Sequence, residues 1–258
     1  HFVLTNHASS GIFISTPQVS DQSAKLEVRS QLKNESDSKV QLELRHTIYD
    51  PDGKVQQVIS RKVDMLPGQE QEVTLPAKEI MNPQLWSPEN PVLYRVESQL
   101  LERKSQKVLD ADSHYTAFRY FSFNGETGFS LNGKPYKLRG ICRHQDQRPY
   151  GYGLTNDQHR RDFRMMKQMG ANFIRISHYP QDEALFAGEE MPIINSVPDT
   201  PGFAENCEEN LRDMIRQHYN HPSVIMWGYM NEILLMTTRM PKAAQPPILE
   251  RTKVLAKR

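Results

Sequence analysis

The sequence predicts a multidomain β plus α/β protein: a β-sandwich over residues 1–120, then a unit built on a parallel sheet over residues 121–258. Three observations lead there. The first part alternates apolar and polar residues in short runs, which is the period of strands with one wet face. The second part alternates strand-like and helix-like segments with short connections, which calls for parallel strands. Polar, chemistry-bearing residues then collect where those later strands end.

In the first part the runs are "GIFIST", "AKLEVRSQL", "KVQLELRHTIYD", "KVQQVISRKV", "QEVTLP", "VLYRVESQLL" and "HYTAFRYFSF". Turn chemistry separates them: "NESDS", "DPDG" at 50–53, "LPGQ", and "SPENP" after Trp86. About seven strands at this spacing predict a sandwich of immunoglobulin-like type. His46 and His114 fall inside strand patterns and read as satisfied structural residues rather than ligands.

In the second part "FSLNGKPYKLRG" predicts a hairpin turning at Asn132-Gly133, because Asn-Gly readily takes the positive φ angles of a tight turn. The strand "YKLRGICRH" follows. "LTNDQHRRDFRMMKQMGA" reads as a helix, with Thr155 and Gln158 in capping-box spacing, Phe163, Met166 and Met169 at three-residue intervals, and a stop at Gly170. Next come the strand "NFIRISHYP", a short helix "DEALFAG", a Pro-rich loop, the helix "FAENCEENLRDMIRQHY" and the strand "SVIMWGYMNE". Phe203, Cys207, Leu211, Met214 and Ile215 line one stripe of that last helix, so Cys207 reads as a small core residue. "ERTKVLAKR" reads as a helix after the fourth strand.

Arg143-His144, Ser177-His178-Tyr179-Pro180 and Asn231-Glu232 stand at the ends of their strands. Parallel barrels build sites on that face, from several strand ends at once. No Gly-rich phosphate loop follows any strand, which weighs against a nucleotide-binding open sheet. A carboxylate such as Glu232 also serves elsewhere as a plain helix cap, and three polar strand ends on one face weigh against that reading.

Lys plus Arg number 32 against 31 Asp plus Glu, so no long-range field attracts a polyanion, and no nucleic acid is expected as partner. No apolar stretch reaches the roughly 18 residues of a membrane span, and "HFVLTNHASS" lacks the regions of a signal peptide. The chain is expected to be soluble, with no membrane partner. Cys142 and Cys207 are the only cysteines, which is neither a disulfide scaffold nor metal-site spacing, so compartment stays open.

"FSLNGKPYKLRGICRHQDQRPYGYGLTNDQHRRDFRMMKQMGANFIRISHYPQDEALF" together with "NHPSVIMWGYMNE" resembles glycoside hydrolase family 2, over about residues 123–235. The resemblance implies an immunoglobulin-like domain followed by a (β/α)8 TIM barrel, here partial, and a retaining hydrolase of terminal β-linked sugars. It implies Glu232 as general acid/base and Asn231 as partner of the sugar 2-hydroxyl, with Trp227 walling the site. His144 and His178 would line the sugar pocket, and Arg143 and Arg175 would orient carboxylates. The nucleophile's motif is expected beyond Arg258, so these 258 residues alone are expected not to turn over substrate.

A second departure from the family pattern is that Ala187-Gly188 runs straight into Glu189-Glu190, as though the third barrel strand were missing. Glu190 would then match the acidic residue ending that strand. No cofactor and no metal are expected, since "PIINSVP" lacks the Glu and His that hold Mg²⁺ in some relatives of the resembled family. The runs "CRHQDQ" and "YGYGLTND" favour a β-galactoside substrate. The alternatives are β-glucuronidase or β-mannosidase within the family, and outside it a non-catalytic carbohydrate-binding or scaffold protein. Nothing in the sequence decides between a monomer and a homo-oligomer.

Overall fold

The computed structural model describes residues 1, 9–180, 189–191 and 201–232, the side chains of Glu189 and Glu190 excepted. The expected helices in "DEALFAG" and "ERTKVLAKR", and "PIINSVP", lie outside the described residues. The chain forms two compact units, His1–Lys137 with Arg216–Pro222, and Leu138–Ile215 with Ser223–Arg258.

The first unit is the sandwich. One sheet joins β1 (Ile12–Val19), β2 (Ser23–Lys33) and β5 (Glu70–Pro76) in the order β1-β2-β5, with β6 (Ile80–Met81) also on β2. The other runs β4-β3-β7-β8, from β3 (Val40–Tyr49), β4 (Val55–Met65), β7 (Tyr94–Glu102) and β8 (Val108–Thr116). All these pairings are antiparallel. The alternation turns one face of each sheet inward: Leu26, Val28 and Leu32 from β2 share a single apolar cluster with Leu44, Ile48, Val96 and Leu100 from β3 and β7.

The run "HYTAFRYFSF" is not one strand. β8 begins earlier, at Val108, and β9 (Phe121–Asn124) joins a separate three-stranded sheet. The acidic "DAD" hides the period of β8, because its apolar positions at Val108 and Leu109 face water. β6 was not foreseen either, since two residues carry no period.

His46 is fully buried between the sheets, with Nδ1 2.8 Å from Ser98 Oγ and Nε2 3.5 Å from Ser30 Oγ. Burial pulls its pKa down to about 4. His114 is held by Ser10 and Asp112 at 2.8 and 3.1 Å. Both are satisfied structural residues.

β9, β10 (Gly128–Leu131) and β11 (Lys134–Pro135) form the three-stranded sheet, with Asn132 and Gly133 at φ 50° and 74° in its turn. A Cβ on Gly133 would also meet Tyr120 Oη at 3.0 Å, so space and backbone both call for glycine.

In the second unit the strands are parallel. β12 (Gly140–Arg143) pairs with β13 (Phe173–Ile176), Cys142 opposite Arg175. Between them lies α1 (Asn156–Gln168), whose N-cap Thr155 and Gln158 complete the capping box. Phe163 and Met166 of α1 pack on Ile174 and Ile176. Met169, the third member of the expected stripe, is instead the C-cap and is 78% exposed, because the turn to Gly170 rotates it off the apolar face.

The third strand is present after all, in reduced form. β14 (Glu189–Glu190) pairs in parallel with β15 (Trp227–Gly228), and Met191 N–H donates to the Gly228 carbonyl at 2.9 Å. Two residues leave no period to read, and only pairing reveals them. α2 (Phe203–Gln217) buries its predicted stripe, with Leu211 and Met214 against Met191, Trp227 and Met230. Cys207 is half-buried there, and burial pushes its thiol up. Among the described residues no helix is long and apolar enough to cross a membrane.

Candidate active site

Side chains alternate along β12 and β13, so each strand offers one set of residues to α1 and the opposite set to the other face. Ile174 and Ile176 go to α1, and Arg175 goes the other way. The Arg175 Nη2 group donates to Asn231 Oδ1 at 2.9 Å. Asn231 is 7% exposed, and its Nδ2 is buried with no hydrogen-bond partner among the described residues. A buried amide with a free donor is a costly arrangement unless something else fills it. Its Oδ1 is fixed, so the donor direction is fixed too.

Glu232 follows at once, with its side chain exposed and its backbone at φ 54°. Left-handed backbone is rare for a residue with a Cβ, and such outliers gather at functional sites. Among the described residues no second carboxylate is placed against it.

His144 and His178 lie one and two residues beyond the ends of β12 and β13 respectively, and their rings meet edge to face, centroids 5.1 Å apart. Tyr152 and Tyr179 make a similar pair at 5.5 Å. Tyr179 Oη accepts the Gln145 backbone N–H at 2.9 Å, and burial raises its pKa. Tyr179 stands in the expected strand-end group without a role assigned to it, and Tyr152 stands outside that group. Tyr179 is adjacent to a predicted histidine, whereas Tyr152 joins it only through the fold of its loop, where Gln147 and Gly151 pair backbone to backbone.

Arg143 is built in differently. It is 4% exposed and faces α1, where Nη2 donates to Asp162 Oδ2 at 2.7 Å and lies 3.0 Å from His159 Nδ1. Gln147 Nε2 adds a bond of 2.9 Å to the same Asp162 oxygen. The carboxylate that Arg143 orients therefore belongs to a buried network under the strand end. Asp162 and His159 sit three residues apart on the face of α1 that also carries Phe163 and Met166, and polar residues on an apolar face were the signal available for them. Trp227 packs into the cluster on α2. Glu190 has only its backbone described, paired opposite Gly228. Among the described residues no group of three or more His, Cys, Asp or Glu could hold a metal ion.

Two family models match this chain, "Glycosyl hydrolases family 2" over residues 10–119 and "Glycosyl hydrolases family 2, TIM barrel domain" over residues 125–188. The chain is 57% identical to a Bacteroides uniformis β-glucuronidase covalently bound to cyclophellitol-6-carboxylate aziridine, with a TM-score of 0.92 over 99% of this chain and 32% of that one. It is 34% identical to a β-glucuronidase of Bacteroides fragilis, across 88% of this chain and 34% of that protein. A β-galactosidase of Bacteroides ovatus is 28% identical, across 87% and 28% respectively. The chain thus spans about a third of the length of such relatives. With a sandwich and the opening strands of a TIM barrel that both match its models, the chain belongs to glycosyl hydrolases family 2.

Proposed function

We propose that the whole protein carrying this chain is a retaining β-glycoside hydrolase, and that its substrate is a terminal β-glucuronide. The observation that carries the catalytic reading is Asn231, whose buried Nδ2 donor is aimed by the Arg175 bond and stands beside the exposed carboxyl of Glu232. In this mechanism the Glu232 carboxyl gives its proton to the glycosidic oxygen as the bond to the anomeric carbon breaks. A second carboxylate of the whole protein, about 5 to 5.5 Å away, takes that carbon as a glycosyl ester. Water then loses a proton to Glu232, attacks the same carbon and frees the sugar. Asn231 holds the 2-hydroxyl throughout, and His144 and His178 line the sugar pocket. Arg143 acts from beneath, by fixing the end of β12. The barrel portion is taken to begin near residue 121.

The glucuronide reading replaces the galactoside expected from "CRHQDQ" and "YGYGLTND". It draws its support from relatives: the 57% identical structure is named a β-glucuronidase, and the named β-galactosidase is 28% identical. The two short runs, "CRHQDQ" and "YGYGLTND", carry less weight than this difference in identity.

The test is hydrolysis of aryl β-glucuronide and aryl β-galactoside by the full-length protein and its Glu232→Gln variant. The glucuronide is expected to be the better substrate, and the variant to lose about 10²- to 10⁴-fold in rate while still binding sugar. Equal rates for both proteins would favour a carbohydrate-binding role instead, and a preference for galactoside would restore the earlier reading.

A further inference from the structure

The loop 145–154 leaves β12 and carries two tyrosines outward, Tyr150 at 60% and Tyr152 at 64% exposure. They flank Gly151, whose φ of 57° turns the chain between them. Tyrosine suits a surface that meets other molecules, since its ring is large and stiff and its hydroxyl stays wet. The loop itself is pinned at several points. Gln147 and Gly151 exchange two backbone hydrogen bonds, of 3.0 and 2.8 Å, and Gln145 Nε2 donates to the Tyr152 carbonyl at 2.8 Å. Gln147 Nε2 donates to Asp162 of α1 at 2.9 Å, which ties the loop to the buried Arg143 pair.

The pinned loop stands next to the two histidines. His144 precedes Gln145 in the chain, and His178 precedes Tyr179. Tyr179 Oη accepts the Gln145 N–H at 2.9 Å, and its ring meets Tyr152 edge to face at 5.5 Å. One residue earlier on both segments, His144 and His178 meet in the same way at 5.1 Å. The tyrosine pair therefore neighbours the histidine pair, and all of these groups belong with Glu232 to one compact unit.

We infer that Tyr150 and Tyr152 form the surface that receives the leaving group of the substrate, and that the leaving group they select is a flat aromatic one. This rests on the β-glucuronide reading given above. A terminal glucuronide enters its pocket sugar first, so the group on its anomeric oxygen stays outside, against whatever lines the rim. Aromatic rings pair in offset or edge-to-face contacts, and a loop already pinned loses little freedom when they do. A second sugar would call for amides ready to bond its hydroxyls, whereas Gln145 and Gln147 are spent on the Tyr152 carbonyl and on Asp162. Contacts of this kind hold ground state and transition state alike, so they act on KM rather than on kcat.

In the full-length protein, Tyr152→Ala and Tyr150→Ala are each assayed on 4-methylumbelliferyl β-glucuronide, on methyl β-glucuronide and on a glucuronosyl disaccharide. KM for the aryl substrate is expected to rise about 3- to 10-fold in either variant, with kcat within about twofold, while the methyl substrate keeps both constants. Tyr152→Phe retains the ring and should keep the wild-type KM. The inhibition constant of glucuronic acid, which has no leaving group, should not move in any variant and gives a readout independent of turnover. Equal changes on the aryl and methyl substrates, no change on either, or an aryl KM as high in Tyr152→Phe as in Tyr152→Ala would overturn the proposal. A loss confined to the disaccharide would overturn it too, in favour of a second sugar at the rim. Should Tyr152→Ala fail to fold, Tyr150→Ala carries the same expectation by itself. A wild-type protein inactive on every glucuronide would instead overturn the reading of the substrate, and this inference with it.

Discussion

The two units bury different things. In the sandwich a single apolar cluster runs through both sheets, and the buried polar groups within it, His46, Ser30 and Ser98, satisfy one another. Among the described residues of the second unit the apolar clusters are small, Met191 with Leu211 and Met214, and Ile174 with Ile176, each extended by half-buried neighbours. Buried polar residues stand among them, Arg143 and Asn231 at strand ends and His159 on α1. The difference teaches where stability and chemistry reside. The sandwich is held by area removed from water, whereas the described strand ends of the barrel segment depend on charge pairs and amides whose geometry must be right.

The largest effect that could break this comparison is expected at Asp162. Asp162→Ala leaves the buried Arg143 guanidinium without its carboxylate and should destabilise by about 3–5 kcal/mol. Leu44→Ala in the sandwich should cost a similar ~2–5 kcal/mol by cavity formation alone. Trp86 and Trp227 are the only tryptophans, one in each unit, so urea unfolding of Trp86→Phe and Trp227→Phe backgrounds reads the units separately. Each change should move the signal of its own unit. A silent Asp162→Ala would mean that the barrel segment is held by apolar packing as the sandwich is.

A smaller effect separates the units by pH. Burial lowers His46 and His218, both in the first unit, from 6.5 to about 4. The folded unit therefore keeps them neutral while the unfolded chain takes up protons, so their contribution is complete above pH 6.5 and is lost as pH falls toward 4. The slope is about 1.4 kcal/mol per pH unit for each histidine. His46→Gln should flatten the Trp86 unfolding midpoint against pH across that window. An unchanged slope would sink the assignment.

The smallest effect sharpens the contrast at the site itself. Glu232→Gly removes the Cβ from a left-handed position and should raise stability by about 1 kcal/mol while abolishing hydrolysis in the whole protein. A melting temperature that falls instead would mean that the Glu232 side chain supports the fold.

What could be read in advance was local. The Asn132-Gly133 turn, the Thr155–Gln158 capping box and the period-two faces of β2, β3 and β7 each depend on residues within one element. The strand ends carrying His144, His178, Asn231 and Glu232 were legible because polar residues stop an apolar run. β6, β14 and β15 were not legible at their true lengths, since two residues have no period. Nor was the choice of Arg143 between a pocket and the face of α1, which turns on where Asp162 lies across space.

The sequence by itself determined the order of the elements, their caps and turns, and which residue types each strand would present at its end. Tertiary structure alone decided partners: Arg175 for Asn231, Asp162 for Arg143, and the backbone of β1 for Asn220. The physical reason is range. Propensity, capping and alternation act over a few neighbouring residues, whereas a hydrogen bond between residues 206 or 208 positions apart exists only once the fold has brought them within 3 Å.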